Sequence, residues 1–340
     1  MFATMKTTTL SRRHALHAAL GAGAAAIAST IPASPARASV GDVDPADIRN
    51  GAGFYRTTVG DAEVTVISDG VLNFEPYPLF GANADRFQVE QALRQAFLPI
   101  DRVTIQVNAL LVRSGRDVVL VDTGSGDLVG PTAGFALRNL ERAGVSRDDV
   151  THVLLTHLHR DHIGGALGAD GKVAFPNAKF IMHRAEHAFW SSSQPDLGSS
   201  TAPPPIKQKW VDAAHRFLGA VSDRLTLIDG SEASVVPNVT AHLAAGHTPG
   251  HLTVDVTSDG QRFVYLADLA HHHAIVLPHP SWHVALDTDP AAAVRTRKER
   301  LARYAFDQTL IGGAHLPFPS LGHLVPAETG VAWAPVEWRW

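Results

Sequence analysis

Apolar residues alternate with polar ones, or run in short unbroken blocks, through most of the chain after residue 54. Period-two alternation marks half-buried strands, and short apolar runs between turn formers mark strands buried on both faces. Residues 55–59 and 63–67 flank Gly60-Asp61 and predict a hairpin, with Ser68-Asp69-Gly70 ending its second strand. Residues 105–112 and 117–121 predict a second hairpin around Ser114-Gly115, followed by a sharp turn at Asp122-Thr123-Gly124. Further strands are expected at 152–156, 179–182, 224–229, 239–243, 252–257 and 262–267. Helical spacing covers 88–97, 135–143 up to Gly144, 185–190, 207–221 and 291–304. The aromatic, Pro-broken stretch 74–80 and the Ser-rich, then Pro-rich stretch 191–206 read as loops. Strands and helices alternate in both halves. That pattern suits an α/β protein, a four-layer αββα sandwich in a single domain.

Chemistry concentrates where apolar runs end. Val153-Leu154-Leu155 leads into Thr156-His157-Leu158-His159-Arg160-Asp161-His162, three imidazoles and a carboxylate within six residues. Imidazole nitrogen and carboxylate oxygen are the ligands that zinc and its neighbours prefer. Gly164-Gly165 suits a passage where backbone must come close to the site. Three more strand ends carry such groups: His247 between turn formers in Ala245-Gly246-His247-Thr248-Pro249-Gly250-His251, Asp268 after Val264-Tyr265-Leu266-Ala267, and His315 after Leu310-Ile311-Gly312-Gly313.

In order and spacing this set resembles the metallo-β-lactamase superfamily, whose pattern is H-x-H-x-D-H, then His, Asp and His at strand ends. The resemblance implies two divalent metal ions, zinc first, with cobalt, manganese and iron also compatible. His157, His159 and His247 would hold one ion; Asp161, His162 and His315 would hold the other; Asp268 would bridge them. A hydroxide shared by the ions would attack the substrate, and Asp161 would orient it. Asp122, at the end of a buried strand, is expected to orient a ligand histidine or its loop. His251 and His323 read as structural or as supports behind a ligand, and His183, His187 and His215 as helix or surface residues.

One branch is closer. Gly53-Phe54-Tyr55-Arg56, Val121-Asp122-Thr123-Gly124 with Gly130-Pro131-Thr132, Ala174-Phe175-Pro176-Asn177-Ala178, Phe189-Trp190 and His315-Leu316-Pro317-Phe318-Pro319 resemble methyl parathion hydrolase. That resemblance implies organophosphate triester hydrolysis, with lactones and aryl esters taken by close relatives. Val129 stands where that hydrolase has an aromatic, and His271 where it has an apolar residue. With Trp190, these residues are expected to line the substrate pocket. A more polar wall favours a carbonyl substrate, so lactones or aryl esters are expected first and phosphotriesters second. A mononuclear iron enzyme of the persulfide dioxygenase type, a β-lactamase and a non-catalytic binding protein are the further alternatives. A complete ligand set speaks against the last.

Composition narrows the partners. At 340 residues, 45% hydrophobic, the chain can bury one large core. A net charge of −4 gives no basic footprint for nucleic acid. Zero Cys removes disulfides, thiol catalysis and thiolate ligands. A small-molecule substrate is the expected partner, and a homodimer is compatible with the sequence. Arg12-Arg13 precede an apolar, Ala-rich stretch at 15–31, and Ala36-Arg37-Ala38 offers a cleavage site. Residues 1–38 thus resemble a twin-arginine export signal, which implies a periplasmic or secreted protein. Residues 39–53 would form an exposed lead-in, 54–340 the hydrolase domain, and the mature form would carry no membrane anchor.

Overall fold

The structure, a computed structural model, describes residues 51–337. The export segment and residues 39–50 of the lead-in lie outside the described residues. Two seven-stranded sheets organise the rest. The first contains, in spatial order, β1 (Phe54–Val59), β2 (Ala62–Phe74), β3 (Val103–Ser114), β4 (Asp117–Val121), β5 (His152–Leu154), β6 (Lys179–His183) and β7 (Leu225–Ile228). The second contains β8 (Glu232–Val236), β9 (Val239–Leu243), β10 (Leu252–Ser258), β11 (Gln261–Tyr265), β12 (Leu310–Gly312), β13 (Gly322–Pro326) and β14 (Val331–Pro335), again in chain order. Strands β4 to β7 run parallel, as do β11 and β12; the remaining neighbours are antiparallel.

Strand periodicity builds the layers. Val119, Val121 and Leu154 point between the sheets, where they meet Val254, Val256, Phe263 and Tyr265. The alternate residues Val118, Leu120 and Val153 point outward, against helices α2 (Ala136–Arg142) and α5 (Pro204–Val221). On the far side, Val264 and Ile311 pack under Leu301 and Tyr304 of α6 (Pro290–Phe306). The order is helix, sheet, sheet, helix, as the alternation predicted. Three shorter helices complete the set used below: α1 (Arg86–Gln95), α3 (Arg160–Ile163) and α4 (Arg184–Trp190).

Two expectations are corrected. Ser68-Asp69-Gly70 does not end β2, which continues to Phe74 through a bulge. The buried Asp69 carboxylate accepts the backbone N–H groups of Ser125, Gly134 and Ala136, so its polarity serves a neighbouring loop rather than a turn. Helix α5 starts at Pro204, inside the stretch read as loop. Pro at the first helical positions lacks an N–H that would be unpaired there anyway. Strands β8, β13 and β14 were not expected.

Candidate metal centre

Every ligand predicted from the sequence converges on one end of the sandwich. His157 and His159 follow β5, His247 lies in the β9–β10 connection, Asp268 follows β11, and His315 follows β12. Asp161 and His162 sit in α3, whose N-cap is His159. The close approach expected at Gly164-Gly165 is present. A Cβ on Gly164 would lie 1.9 Å from the Ser125 carbonyl oxygen, and one on Gly165 would lie 2.1 Å from that of Thr123.

The first group is His157, His159, His247 and Asp268, all buried. His157 Nε2 lies 3.1 Å from His159 Nδ1, which lies 2.9 Å from His247 Nε2. Burial and the neighbouring imidazoles hold His157 and His159 well below the usual histidine range, so each ring is neutral and keeps one nitrogen lone pair to offer. The second group is Asp161, His162 and His315. His162 Nε2 lies 3.5 Å from Asp161 Oδ2 and 3.2 Å from Asp268 Oδ1, while His315 Nε2 lies 3.4 Å from Asp161 Oδ2 and 3.2 Å from Asp268 Oδ2. Asp268 faces both groups, since its Oδ2 is also 3.3 Å from His247 Nε2. His162 Nε2 and Asp268 Oδ1 are buried and have no hydrogen-bond partner. Unpaired polar atoms are costly in a dry interior. A donor set of imidazoles and carboxylates aimed at common points, some of its atoms unpaired, fits two divalent ions.

The surroundings fix which nitrogen faces inward. Asp122 Oδ2 accepts from His162 Nδ1 at 2.8 Å, and its Oδ1 accepts the Thr156 N–H, so Asp122 ties His162 to the loop that follows β5. The Gln106 carbonyl accepts from His315 Nδ1 at 2.7 Å. Asp287 Oδ1 accepts from His247 Nδ1 at 2.9 Å. Burial opposes charge on Asp287, yet Arg297 and His247 keep its carboxyl below the usual range. Sequence reasoning missed Asp287 and its partner Arg297. Asp287 lies two residues from Asp289, the N-cap of α6, and nothing in the sequence separates the two roles.

A cavity of about 510 Å³ opens onto His159, Asp161, Asp268 and His315. Val129 lines it, as expected. Trp190 does not: it is fully buried, donates to Glu186 and meets His159 edge-on. Trp210 is the pocket tryptophan instead, its ring 4.5 Å from that of His159. His271 also lies off the cavity wall. It is fully buried, with Nε2 3.2 Å from Asp268 Oδ2 and its ring stacked on that of His315, so any influence on substrate choice would be indirect. His251 is no ligand, in line with its structural reading: its Nδ1 donates to the Ala244 carbonyl, and its Nε2 accepts the Asp268 N–H at 3.0 Å.

A His/Asp centre at the joint end of two stacked sheets is the arrangement of a metallo-hydrolase. The chain belongs to the Metallo-beta-lactamase superfamily, whose sequence profile matches residues 102–315. Among solved structures it is similar to AidC, described as a dizinc quorum-quenching lactonase in complex with a product, N-hexanoyl-L-homoserine. Identity is 30%, the match covers 84% of this chain and 98% of AidC, and the TM-score is 0.80. It is also similar to the hydrolase AbOPH of the beta lactamase superfamily, with 28% identity, 85% and 99% coverage and a TM-score of 0.77. A curated relative, "Probable metallo-hydrolase Rv2300c" of Mycobacterium tuberculosis, is 28% identical over 50% of this chain. The chain spans between 25% and 58% of the length of the curated relatives it matches.

Proposed function

We propose that this chain is a two-metal hydrolase acting on lactones or aryl esters that carry an apolar tail. The observation that carries the proposal is the cavity: ligand side chains form its floor, while Leu72, Phe74, Ile105, Val129, Ile206 and Trp210 are among its walls. The similarity to a lactonase along most of its length supports the same reading. Apolar walls favour an alkyl or aryl substituent, at roughly 0.8 kcal/mol for each methylene taken out of water. His157, His159, His247 and Asp268 would hold one ion, and Asp161, His162, His315 and Asp268 the other. Two bound ions would supply Lewis acidity and a nucleophilic water at neutral pH.

The chain's own residues do the rest. The Asp161 side chain is 17% exposed and reaches the cavity floor, where its carboxylate orients the attacking water. The Asp268 carboxylate, held through its backbone by His251, spaces the two groups of ligands. Trp210 and Val129 bound the volume that receives the acyl or aryl substituent. The test is a panel of N-acyl homoserine lactones, aryl esters, methyl parathion and nitrocefin on the metal-loaded protein. Lactone or aryl-ester kcat/KM is expected to be the highest. A preference for methyl parathion would replace this reading with phosphotriester hydrolysis, and a preference for nitrocefin with β-lactam hydrolysis.

A further inference from the structure

Glu186 is a fully buried carboxylate that the proposed chemistry does not use. It lies in the first turn of α4, in Arg184-Ala185-Glu186-His187, where the sequence reads like an ordinary helix surface. Its Oε1 accepts the Leu158 N–H at 2.9 Å and the Trp190 indole N–H at 2.7 Å. Its Oε2 accepts the Thr248 hydroxyl at 2.6 Å and the Gly250 N–H at 2.9 Å. Leu158 stands between the ligands His157 and His159. Thr248 directly follows the ligand His247. One carboxylate therefore joins the two chain segments that carry all three histidines of the first group.

The packing shows that this junction is built to be short. A Cβ on Gly250 would fall 2.3 Å from the Glu186 backbone nitrogen and 2.5 Å from its Cβ, so only glycine lets the β9–β10 connection approach α4 this closely. Trp190, fixed by the same carboxylate, sets its ring edge-on to His159 at 5.8 Å. Four donors on two oxygens leave the acceptor well satisfied, which is how an isolated carboxylate is tolerated in the interior.

We propose that Glu186 is a positioning residue that sets the spacing of His157, His159 and His247, and so selectively supports metal affinity at the first position. The inference rests on the metal-binding reading of the centre. The second group hangs from other anchors, Asp122 for His162 and the Gln106 carbonyl for His315, so it should not feel the change.

Glu186→Gln keeps the volume and one acceptor oxygen but turns an amide toward the Gly250 N–H, Thr248 hydroxyl pair or the Leu158, Trp190 pair. Stepwise zinc affinities of the full chain, read by competition with a chromophoric chelator, provide the test, with thermal melting alongside. Wild type binding two zinc ions checks the metal reading by itself; the ratio of variant to wild-type affinity checks Glu186. Zinc affinity at the first position, isolated in a His162→Ala background, is expected to fall about 10–100-fold, as for other groups that orient ligands from behind. Affinity at the second position, isolated in a His159→Ala background, is expected to stay within a few-fold. Thr248→Val should give a smaller loss of the same kind, and Thr248→Ser should restore it, which keeps the test open if Glu186→Gln folds poorly. Unchanged affinity at the first position, or equal losses at both positions tracking a lower Tm, would show Glu186 to be a packing residue only.

Discussion

At the residue scale, buried carboxylates divide by what they face. Asp161 and Asp268 present oxygens to converging histidine nitrogens. Asp122 and Asp287 each take a proton-bearing Nδ1 from behind, which leaves the Nε2 lone pair of His162 or His247 for a metal. Asp69 accepts backbone N–H groups, Glu186 two backbone N–H groups and two side-chain donors, and both tie loops together. This division predicts different outcomes for two adjacent substitutions. His162→Ala removes a ligand of the second group only, so elemental analysis should find near two metal equivalents in loaded wild type and close to one in the variant. Asp161→Asn retains an oxygen and the local packing, so the fold should persist, with kcat lowered by several orders of magnitude. A wild-type content of one, unchanged in His162→Ala, would overturn the dinuclear reading. A kcat for Asp161→Asn within a few-fold of wild type would exclude its role in orienting water.

At the element scale, what the sequence disclosed depended on how local the determining physics is. The strand-end ligands were legible because a coordinating cluster needs particular residue types at fixed spacing, as in His157 to His162. The inner strands were legible because burial of both faces leaves apolar runs such as Val118 to Val121. The edge strands β8 and β14, and β13 beside β14, carry exposed positions, and β13 and β14 end on Pro, so their periodicity is weak. The supports of the ligands were hidden for a different reason: Glu186, Asp287 and Arg297 sit in helix or helix-cap sequence, and only the packing of distant elements buries them. Arg297 shows how much hangs on such a residue. From α6 it donates to Asp287, to the Leu269 carbonyl just after Asp268, and to the Trp282 carbonyl at 3.1 Å. Replacing it with Met would leave Asp287 buried without its cation and the Leu269, Pro280 and Trp282 carbonyls without this donor. The loss of one partner from a buried ion pair costs about 3–5 kcal/mol. Urea denaturation of Arg297→Met should show a loss of that size with unchanged m-value. A loss under about 1 kcal/mol would mean that α6 packing alone holds the segment.

At the scale of the whole molecule, the centre makes stability depend on pH and on metal together. Burial holds His251 and His272 down to about 3 and His271 to about 4. Below the unfolded value near 6.5, the unfolded chain binds protons that these folded histidines refuse. Each therefore removes about 1.4 kcal/mol of stability per pH unit on acidification. Asp69 acts in the opposite sense. Burial raises it to about 6, so between about 4 and 6 the folded state binds its proton and gains stability as pH falls. Glu186, also raised by burial, acts in the same sense, but the two carboxyls are outweighed by the histidines, to which His157 and His159 add, and stability should fall from pH 6.5 to 5. His162 and His315 shape the alkaline side. Burial disfavours their charge, but Asp268 and Asp161 outweigh it and raise both above the usual value, with Asp122 adding to the rise on His162. Their contribution is fully present below the unfolded value and is lost as pH rises through the folded one. The metal-free chain should thus be most stable near pH 6.5 and weaken on both sides. Metal ions take the place of those protons, so the loaded protein should keep its stability above pH 6.5. Urea midpoints of metal-free and zinc-loaded protein between pH 5 and 9 provide the measurement. The expected result is a maximum for the metal-free form and a curve that diverges upward from it for the loaded form above pH 7. Two parallel curves there would mean that metal does not displace protons from His162 and His315, and the assignment of those residues as ligands would fall.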